Sequence, residues 1–498
     1  MAQKPWYVDK TMLIHDLCQT DSTVTLVLRP HGFGKTTNLL MLRTFFELVH
    51  DESITEKKYR RKLFDRLHIG THHPTLLDTE FGRYPIIHLN LRHVTKCTWE
   101  GSLNKLRDVI GEIFRKHHYV IECLSGAEKD EFTAIEEKDT LYQEYDSALQ
   151  KLSMYLHRFH GAKCVVLVDE YETPAFDRVD VPISQQFNEA YYRTMIGILT
   201  RLYSSLLGDN PYLHKAFMVG ILPVETQVLF SSCNDCSIHS MAHSDFSTRF
   251  GFTESELNKG DARGGGYWCG GVELHRPQYN KNGFADTIRQ LIAHIDSAKI
   301  IALLDRKHLR LDRRDSIEFD QLCKRDDATV WTFLYHAGYI TMHEGQFEIP
   351  NAHVYMQWVS CVAPDLSEPS LYEALLDMLV ASEIEAFHRK LGTITIEHVC
   401  GWLPEMWMDI FYHAFCFGAD ADLRRRGYAV TGTYTAEQCH ISAKTQDTQF
   451  YIRVTLGENV SDQEVVDPHD SVAKVHILGI AFQGNQTCVS VRNHTRIV

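Results

Sequence analysis

No apolar run in these 498 residues approaches the length of a membrane span. The longest, such as "CVVLV" from Cys164 to Val168, suit buried strands. No apolar signal region opens the chain at "MAQKPWYVDK". The 13 cysteines are odd in number and follow no framework spacing. We therefore expect reduced thiols in an intracellular protein, cytoplasmic or nuclear, with no membrane partner. Positive charge is not in excess either. The formal net charge is -14, which argues against a generally basic surface for nucleic acid. Two local basic runs, Asp305 to Asp315 and Leu423 to Tyr428, read as solvated helix faces or turns. Low-complexity linkers and internal repeats are absent, so the length implies two or three ordinary domains.

What is present is a strand-and-helix alternation. "TVTLVLRP" is a short β-branched run. "KTTNLLMLRTFFELV" follows, with Leu39, Leu40, Leu42, Phe45, Phe46 and Val49 at helical spacing. "YPIIHLNL" and "HKAFMVGIL" read as strands, and "EYDSALQKLSMYLHRFHG" as a helix. "AKCVVLVDEYETP" reads as a buried parallel strand ending in acids. This pattern predicts an α/β sheet with its ligand at the carboxyl ends of the strands. After Arg249 to Leu257 the chain becomes more helical, with a short strand pair around "GYITMHEGQFEIP". A second boundary falls near Ser367, before "LYEALLDMLVASEIEAFHRKL", read as a helix. The last stretch, "YAVTGTY", "QFYIRVTL" and "VHILGIAFQGNQTCVSVR", reads as a small sheet. The expected division is thus 1–255, 256–366 and 367–498.

The loop in "VLRPHGFGKTTNLL" holds most of a phosphate-binding motif, but Arg29 stands where its first glycine belongs. Gly32 and Gly34 let backbone N–H groups turn inward around phosphate oxygens. Phe33 lies between them, and Thr37 follows in the helix. Lys35 would reach the outer phosphates, and the Thr36 hydroxyl would hold Mg²⁺ at a helix N-terminus that itself favours anions. A plain strand–turn–helix junction could carry the same letters. The second element decides between the two. Asp169 and Glu170 end an apolar strand, where the first can serve Mg²⁺ and the second can orient or deprotonate water. Two such elements, in order and in the right context, point to ATP and Mg²⁺.

Other constellations carry less. Cys233, Cys236, His239 and His243 have zinc-ligand chemistry, but all four crowd into eleven residues. A structural loop near the nucleotide is the reading we prefer, with Asn234 a candidate phosphate sensor. The glycine-rich "GGGYWCGGVE" follows no clear strand and reads as a turn. The charged span Gly126 to Asp146 reads as a solvated loop and helix face, and the 28 histidines are mostly isolated.

The motifs "YVDKT", "LRPHGFGKT", "VVLVDEYETP", "FGFTESE", "FLYHAGYIT" and "EIPNAHV" together resemble the AAA-ATPase-like family that carries a C-terminal PD-(D/E)XK nuclease-type domain. The resemblance spans nearly the whole chain, strongly to about Val354. Its loop reads close to "RPRRFGKT", so an arginine at position 29 is a habit of that family. The resemblance implies a P-loop NTPase with a parallel sheet, a helical, winged-helix-like middle and a small α/β restriction-endonuclease-like end. It gives Lys35, Thr36, Asp169 and Glu170 the phosphate, Mg²⁺ and water-activating roles. Tyr7, Asp9 and Lys10 fall in the opening motif, near the nucleotide or, for Asp9, as a helix cap.

The chain also departs from that pattern. In "FMVGILPVE", Val219 and Pro223 replace a threonine and an arginine that suit a γ-phosphate, and neither donates a side-chain hydrogen bond. In the nuclease-like end, Arg453 and Thr455 stand where a glutamate and a lysine are expected. Cys439, His440 and Ile441 stand where an aspartate is expected. An arginine cannot ligate a cation. Glu437, Asp447 and Asp409 could rebuild a shifted site only by an unusual rearrangement. The expected protein is a slow Mg-ATPase with an inactive nuclease-like domain that binds protein or nucleic acid. A non-hydrolysing nucleotide-held scaffold is the alternative, and an ATP-controlled nuclease the third. An oligomer is compatible with each.

Overall fold

The computed structural model describes residues 8–94, 99–138, 145–176, 189–253, 256, 284–350, 352–362, 369–392, 407–434, 438–445, 447–456, 474–483 and 486–495. They fall into two units. The first holds the described residues of Met1–Glu256, Leu274–Gln290 and Asp312–Ala337. The second holds those of Leu257–Glu273, Leu291–Leu311 and Gly338–Val498.

In the first unit, five short apolar runs become strands: β1 (Val24–Leu28), β2 (Ile86–Asn90), β3 (Cys164–Asp169), β4 (Leu213–Gly220) and β5 (Cys236–His239). They form one sheet in the order β2-β3-β4-β1-β5, and every pairing is parallel. β1 and β3 are buried along their whole length. That is why they show a continuous apolar run rather than alternation: helices cover both faces of a parallel sheet. All five carboxyl ends lie on one edge. β4 separates β1 from β3, and Asp169 sits in register with Asn90 on one side and Val219 on the other.

The helices of this unit include α1 (Met12–Gln19), α2 (Lys35–Phe46), α3 (Trp99–Lys116), α4 (Tyr145–His160), α5 (Glu189–Leu207) and α6 (Asp327–Ala337). The inner face of α2 buries Leu39, Leu42, Phe45 and Phe46 against α1, β1, β3 and β4. Each such side chain contributes about 1.5–3 kcal/mol. Leu40 faces outward, and α2 ends before Val49. The span from Gly126 departs from a merely solvated reading. It contains a helix, Gly126–Glu137, whose entry is fixed by the Ser125 amide donating to Glu128 and whose Phe132 and Ile135 point inward.

In the second unit, β6 (Thr341–His343) and β7 (Gln346–Glu348) form the expected hairpin. The helices α7 (Ala352–Val362), α8 (Pro369–Val380), α9 (Ile384–Gly392) and α10 (Trp407–Arg425) follow. The run "LYEALLDMLVASEIEAFHRKL" is two helices rather than one. Ser382 adopts φ 62°, and the amides of Ser382 and Glu383 return to the carbonyls of Leu379 and Met378. That is a helix C-terminal closure made without glycine. The final sheet has the order β12-β11-β10-β9-β8, from β8 (Ala429–Tyr434), β9 (Gln438–Lys444), β10 (Thr448–Leu456), β11 (Lys474–Gln483) and β12 (Gln486–Thr495). Only β10–β11 is a parallel pairing, and α10 packs on β8, β9 and β10.

Candidate active site

The carboxyl edge of the parallel sheet gathers the loop from Gly32 to Thr37 and the strand end at Asp169 and Glu170. β1 runs into a loop in which Gly32 and Gly34 take φ 79° and 77°. Gly34 is the residue that starts α2, in a left-handed conformation that a side chain would strain. Lys35 opens α2 and is buried. Its ammonium donates to the carbonyls of Arg29 and Pro30 at 2.9 and 3.0 Å. Burial is the main cause of its lowered pKa, opposed by the charges of Glu170, Glu172 and Asp169.

The Thr36 hydroxyl donates to Asp169 Oδ2 at 2.8 Å, joining the helix start to the end of β3. Asn90 Nδ2 approaches the same oxygen at 3.4 Å. Asp169 is fully buried, and its Oδ1 has no hydrogen-bond partner among the described residues. Burial raises the pKa of this carboxyl, the Thr36 hydrogen bond lowers it, and Glu170 raises it further. Glu170 follows at φ 55°, a left-handed conformation that is unusual for a side chain this large. Thr173 holds it, donating from Oγ1 to Glu170 Oε2 at 3.0 Å.

A third acid belongs to this group and was missed by the sequence reading. Glu172 is buried, and its Oε1 accepts from the backbone amides of Ile221 and Leu222 just beyond β4. Its Oε2 has no partner among the described residues. Burial pushes its carboxyl up to about 7, against the pull of those amides. Gly220 makes room for it: a Cβ there would lie 2.3 Å from Glu172 Oε2. The signal was the spacing of acids in "DEYE". A solvated acid at position 172 would look the same in sequence.

Arg29 turns away from this edge. Its guanidinium donates to the carbonyls of Leu28, His239 and Asp245 at 2.8, 3.1 and 3.1 Å and lies over the Phe250 ring. Burial brings it down to about 10. The arginine therefore straps the phosphate loop to the segment after β5. That segment returns the contact, because the Gly251 amide donates to Phe33 O and Asn38 Nδ2 donates to Arg249 O.

Several expectations change on this geometry. Asn234 lies in an exposed turn at the amino end of the sheet, where neighbouring Asp235 accepts from Thr23 N and Oγ1 at 2.7 and 2.8 Å. Cys236 pairs with Val24, so Asn234 stands about 15 Å from the phosphate loop, the length of β1 at roughly 3.3 Å per residue. It cannot sense a phosphate there. Only the second half of that loop, from His239, reaches the carboxyl edge. His239 faces Asp245 and His243 accepts from the Ser240 amide. Among the described residues no cluster of acids, histidines and cysteines is arranged to hold a metal ion.

Asp9 accepts from Thr11 N and Oγ1 and from the His68 amide, which fixes the entry to α1. Lys10 pairs with Glu256 at 2.7 Å and donates to Thr248 O. Both are committed to structure. Tyr7, Glu437 and the span 264–273 lie outside the described residues. On β9 and β10, Arg453 stands opposite His440, Val454 opposite Cys439 and Thr455 opposite Gln438. Asp447 is exposed, and Asp409 belongs to α10. The basic runs are largely consumed in pairs: Arg314 with Asp326, Lys307 with Asp305, and Arg424 with Asp420.

A parallel α/β sheet with a glycine-turned loop entering a helix, and an acidic strand end beside it, is a P-loop NTPase architecture. Residues 2–230 match the family model described as "Predicted AAA-ATPase". That span contains β1 to β4 and every acid and cation of the site just described. Among solved structures, a Walker-type ATPase of Pyrococcus abyssi aligns at 14% identity over 70% of this chain and 94% of that one, with a TM-score of 0.34. No curated protein matches the chain significantly. No helix among the described residues is long and apolar enough to cross a membrane.

Proposed function

We propose that the N-terminal unit binds Mg-ATP and hydrolyses it slowly. The observation that carries this reading is the Thr36–Asp169 hydrogen bond at 2.8 Å, with Asp169 Oδ1 buried and unpartnered beside it. A hydroxyl beside a carboxylate that keeps one oxygen unpartnered among the described residues is a fitting oxygen pair for a hard cation. Mg²⁺ bound there would neutralise developing phosphate charge. Lys35 would exchange the Arg29 and Pro30 carbonyls for phosphate oxygens. The amides from Gly32 to Thr37 would line the phosphates at the start of α2. Glu170 would orient the attacking water, held in place by Thr173. Val219 is buried in β4 and Pro223 gives its carbonyl to the Ile317 amide, so neither serves the γ-phosphate. Slow turnover follows.

The C-terminal sheet, read as a degenerate nuclease-like domain, would bind a protein or nucleic acid rather than cut it. A helix, a three-strand meander and a parallel fourth strand support that reading, as does the arginine on β10. The same absent side chains at positions 219 and 223 favour a second reading, in which nucleotide is bound and kept.

The test is ATP binding and phosphate release on one preparation, with Lys35→Ala and Glu170→Gln alongside. We expect Lys35→Ala to abolish binding and Glu170→Gln to bind but lose about 10²–10⁴-fold in turnover. Phosphate release equal in wild type and Glu170→Gln would end the enzyme reading. Binding without release in the wild type would establish the scaffold.

A further inference from the structure

The proposed site has too few cations for its charge. Asp169, Glu170 and Glu172 lie at the sheet edge, and among the described residues Lys35 is the buried cation whose charge acts on them. A nucleoside triphosphate would add several more negative charges. The position after β4 that could have supplied an arginine holds Pro223. The other nearby cations are spent. Arg29 is bound to three carbonyls, Lys10 to Glu256, and Arg249 to Asp16.

Arg92 is different. It lies two residues past Asn90, the last residue of β2, and Asn90 is in register with Asp169. The backbone here is pinned to the site: the Leu91 amide donates to Asp169 O, and the Arg92 amide donates to Asn90 Oδ1 at 3.0 Å. The Arg92 side chain is exposed, with no carboxylate partner among the described residues. It leaves the backbone at the carboxyl edge of the sheet, one residue past an amide bonded to Asp169 itself, on the edge where β1 enters the phosphate loop.

We propose that Arg92 is the cation facing the outermost phosphate of the bound nucleotide, supplied in cis by the loop after β2. This rests on the nucleotide-binding reading above. Its chemistry is that of an arginine directed at a transferring phosphoryl: a planar donor that meets equatorial oxygens and is favoured as charge builds on them. It therefore distinguishes triphosphate from diphosphate, which a diffuse surface charge would not.

The experiment compares Mg-ADP with a non-hydrolysable Mg-ATP analogue by calorimetric titration of the full chain, and measures phosphate release. The proteins are wild type, Arg92→Ala, Arg92→Lys and, as the control without a site, Lys35→Ala. Arg92→Ala is expected to keep ADP affinity within about twofold and lose about tenfold or more for the analogue. Any turnover should fall by roughly 10³-fold, with Arg92→Lys recovering part of it. The ADP-to-analogue ratio reads the inference even if the wild type binds without hydrolysing. Equal weakening of both nucleotides with turnover unchanged, or no change in either, overturns the role of Arg92 and leaves nucleotide binding intact. Wild type that binds no better than Lys35→Ala overturns both.

Discussion

In the second unit, Asp420 and Asp422 are buried on α10, and arginines meet both. Arg424 pairs with Asp420 at 2.8 Å, while Arg425 and Arg426 both reach Asp422. In the first unit Asp169 and Glu172 are as deeply buried, at 0% and 4% exposure against 5% and 4%. Yet each keeps an oxygen with no partner among the described residues. A buried carboxylate left half-satisfied costs stability. Leaving these two buried acids half-satisfied stores that cost where an ion or phosphate would relieve it. The C-terminal sheet shows the other half of the contrast. Its β10 carries Arg453 in register with His440, and an arginine cannot ligate a cation.

The comparison breaks most sharply at Asp169. Asp169→Asn should lower turnover by about 10³-fold, equivalent to about 4 kcal/mol of barrier. It should also raise the unfolding midpoint, because burial disfavours the charge it removes. Arg453→Ala on β10 should leave phosphate release unchanged. Phosphate release and thermal unfolding on the two variants check this together. If Arg453→Ala slowed hydrolysis as much as Asp169→Asn, the C-terminal sheet would be part of the machinery and the contrast would fail.

Glu172 sharpens the same contrast through pH. Its folded-state carboxyl titrates at about 7, above the ordinary value of 4.5, because burial disfavours the charge. Below pH 4.5 both states are protonated and the site costs nothing. As pH rises towards 7 the unfolded chain ionises first, so stability falls, by on the order of 3 kcal/mol in all. Half-buried His117, brought down to about 4 mainly by desolvation, acts in the opposite sense: stability present above its ordinary 6.5 is lost as pH falls towards 4. Glu172→Gln removes only the first contribution. The difference in unfolding midpoint between wild type and Glu172→Gln should therefore change steadily between pH 4.5 and 7 and level off outside. A difference constant with pH would mean that Glu172 is ionised in the folded protein.

Much of this architecture was legible because burial on both faces leaves a mark in sequence. β1 and β3 are unbroken apolar runs, and the glycines at positions 32 and 34 announce the left-handed turns found there. Lys35, Thr36, Asp169 and Glu170 could be singled out because short local motifs carry them, and the structure brings them to one edge. What lay hidden depends on strand order, which no local pattern records. Arg92 follows a strand remote from the phosphate loop in sequence and comes to the site only because β2 pairs with β3. Asn234 looked close to the nucleotide because its neighbours were, but the parallel direction of β5 puts it at the far end. Glu172 was unreadable for a different reason. Its burial comes from the Ile221 and Leu222 amides and the bare Gly220, about fifty residues away.

The smallest effect tests the paired side of the comparison. Asp422 has 3% of its side chain exposed, while Arg425 and Arg426 have 49% and 32%. Asp422→Asn therefore leaves two arginines that can turn to water rather than a charge trapped in the core. The loss should be about 1–2 kcal/mol, short of the penalty for a stranded buried ion. Arg425 also pairs with Glu373, but that acid is 47% exposed. Glu373→Gln should change stability by less than about 0.5 kcal/mol, since solvent and salt already screen the pair. Urea unfolding of both variants, at low and high salt, reads the difference. Asp422→Asn should keep most of its cost in high salt, because the buried carboxylate is poorly screened. Equal losses would show that the arginines of α10 act by surface charge alone. Asp422 would then be as unsatisfied as Asp169, and burial without pairing would no longer mark the site.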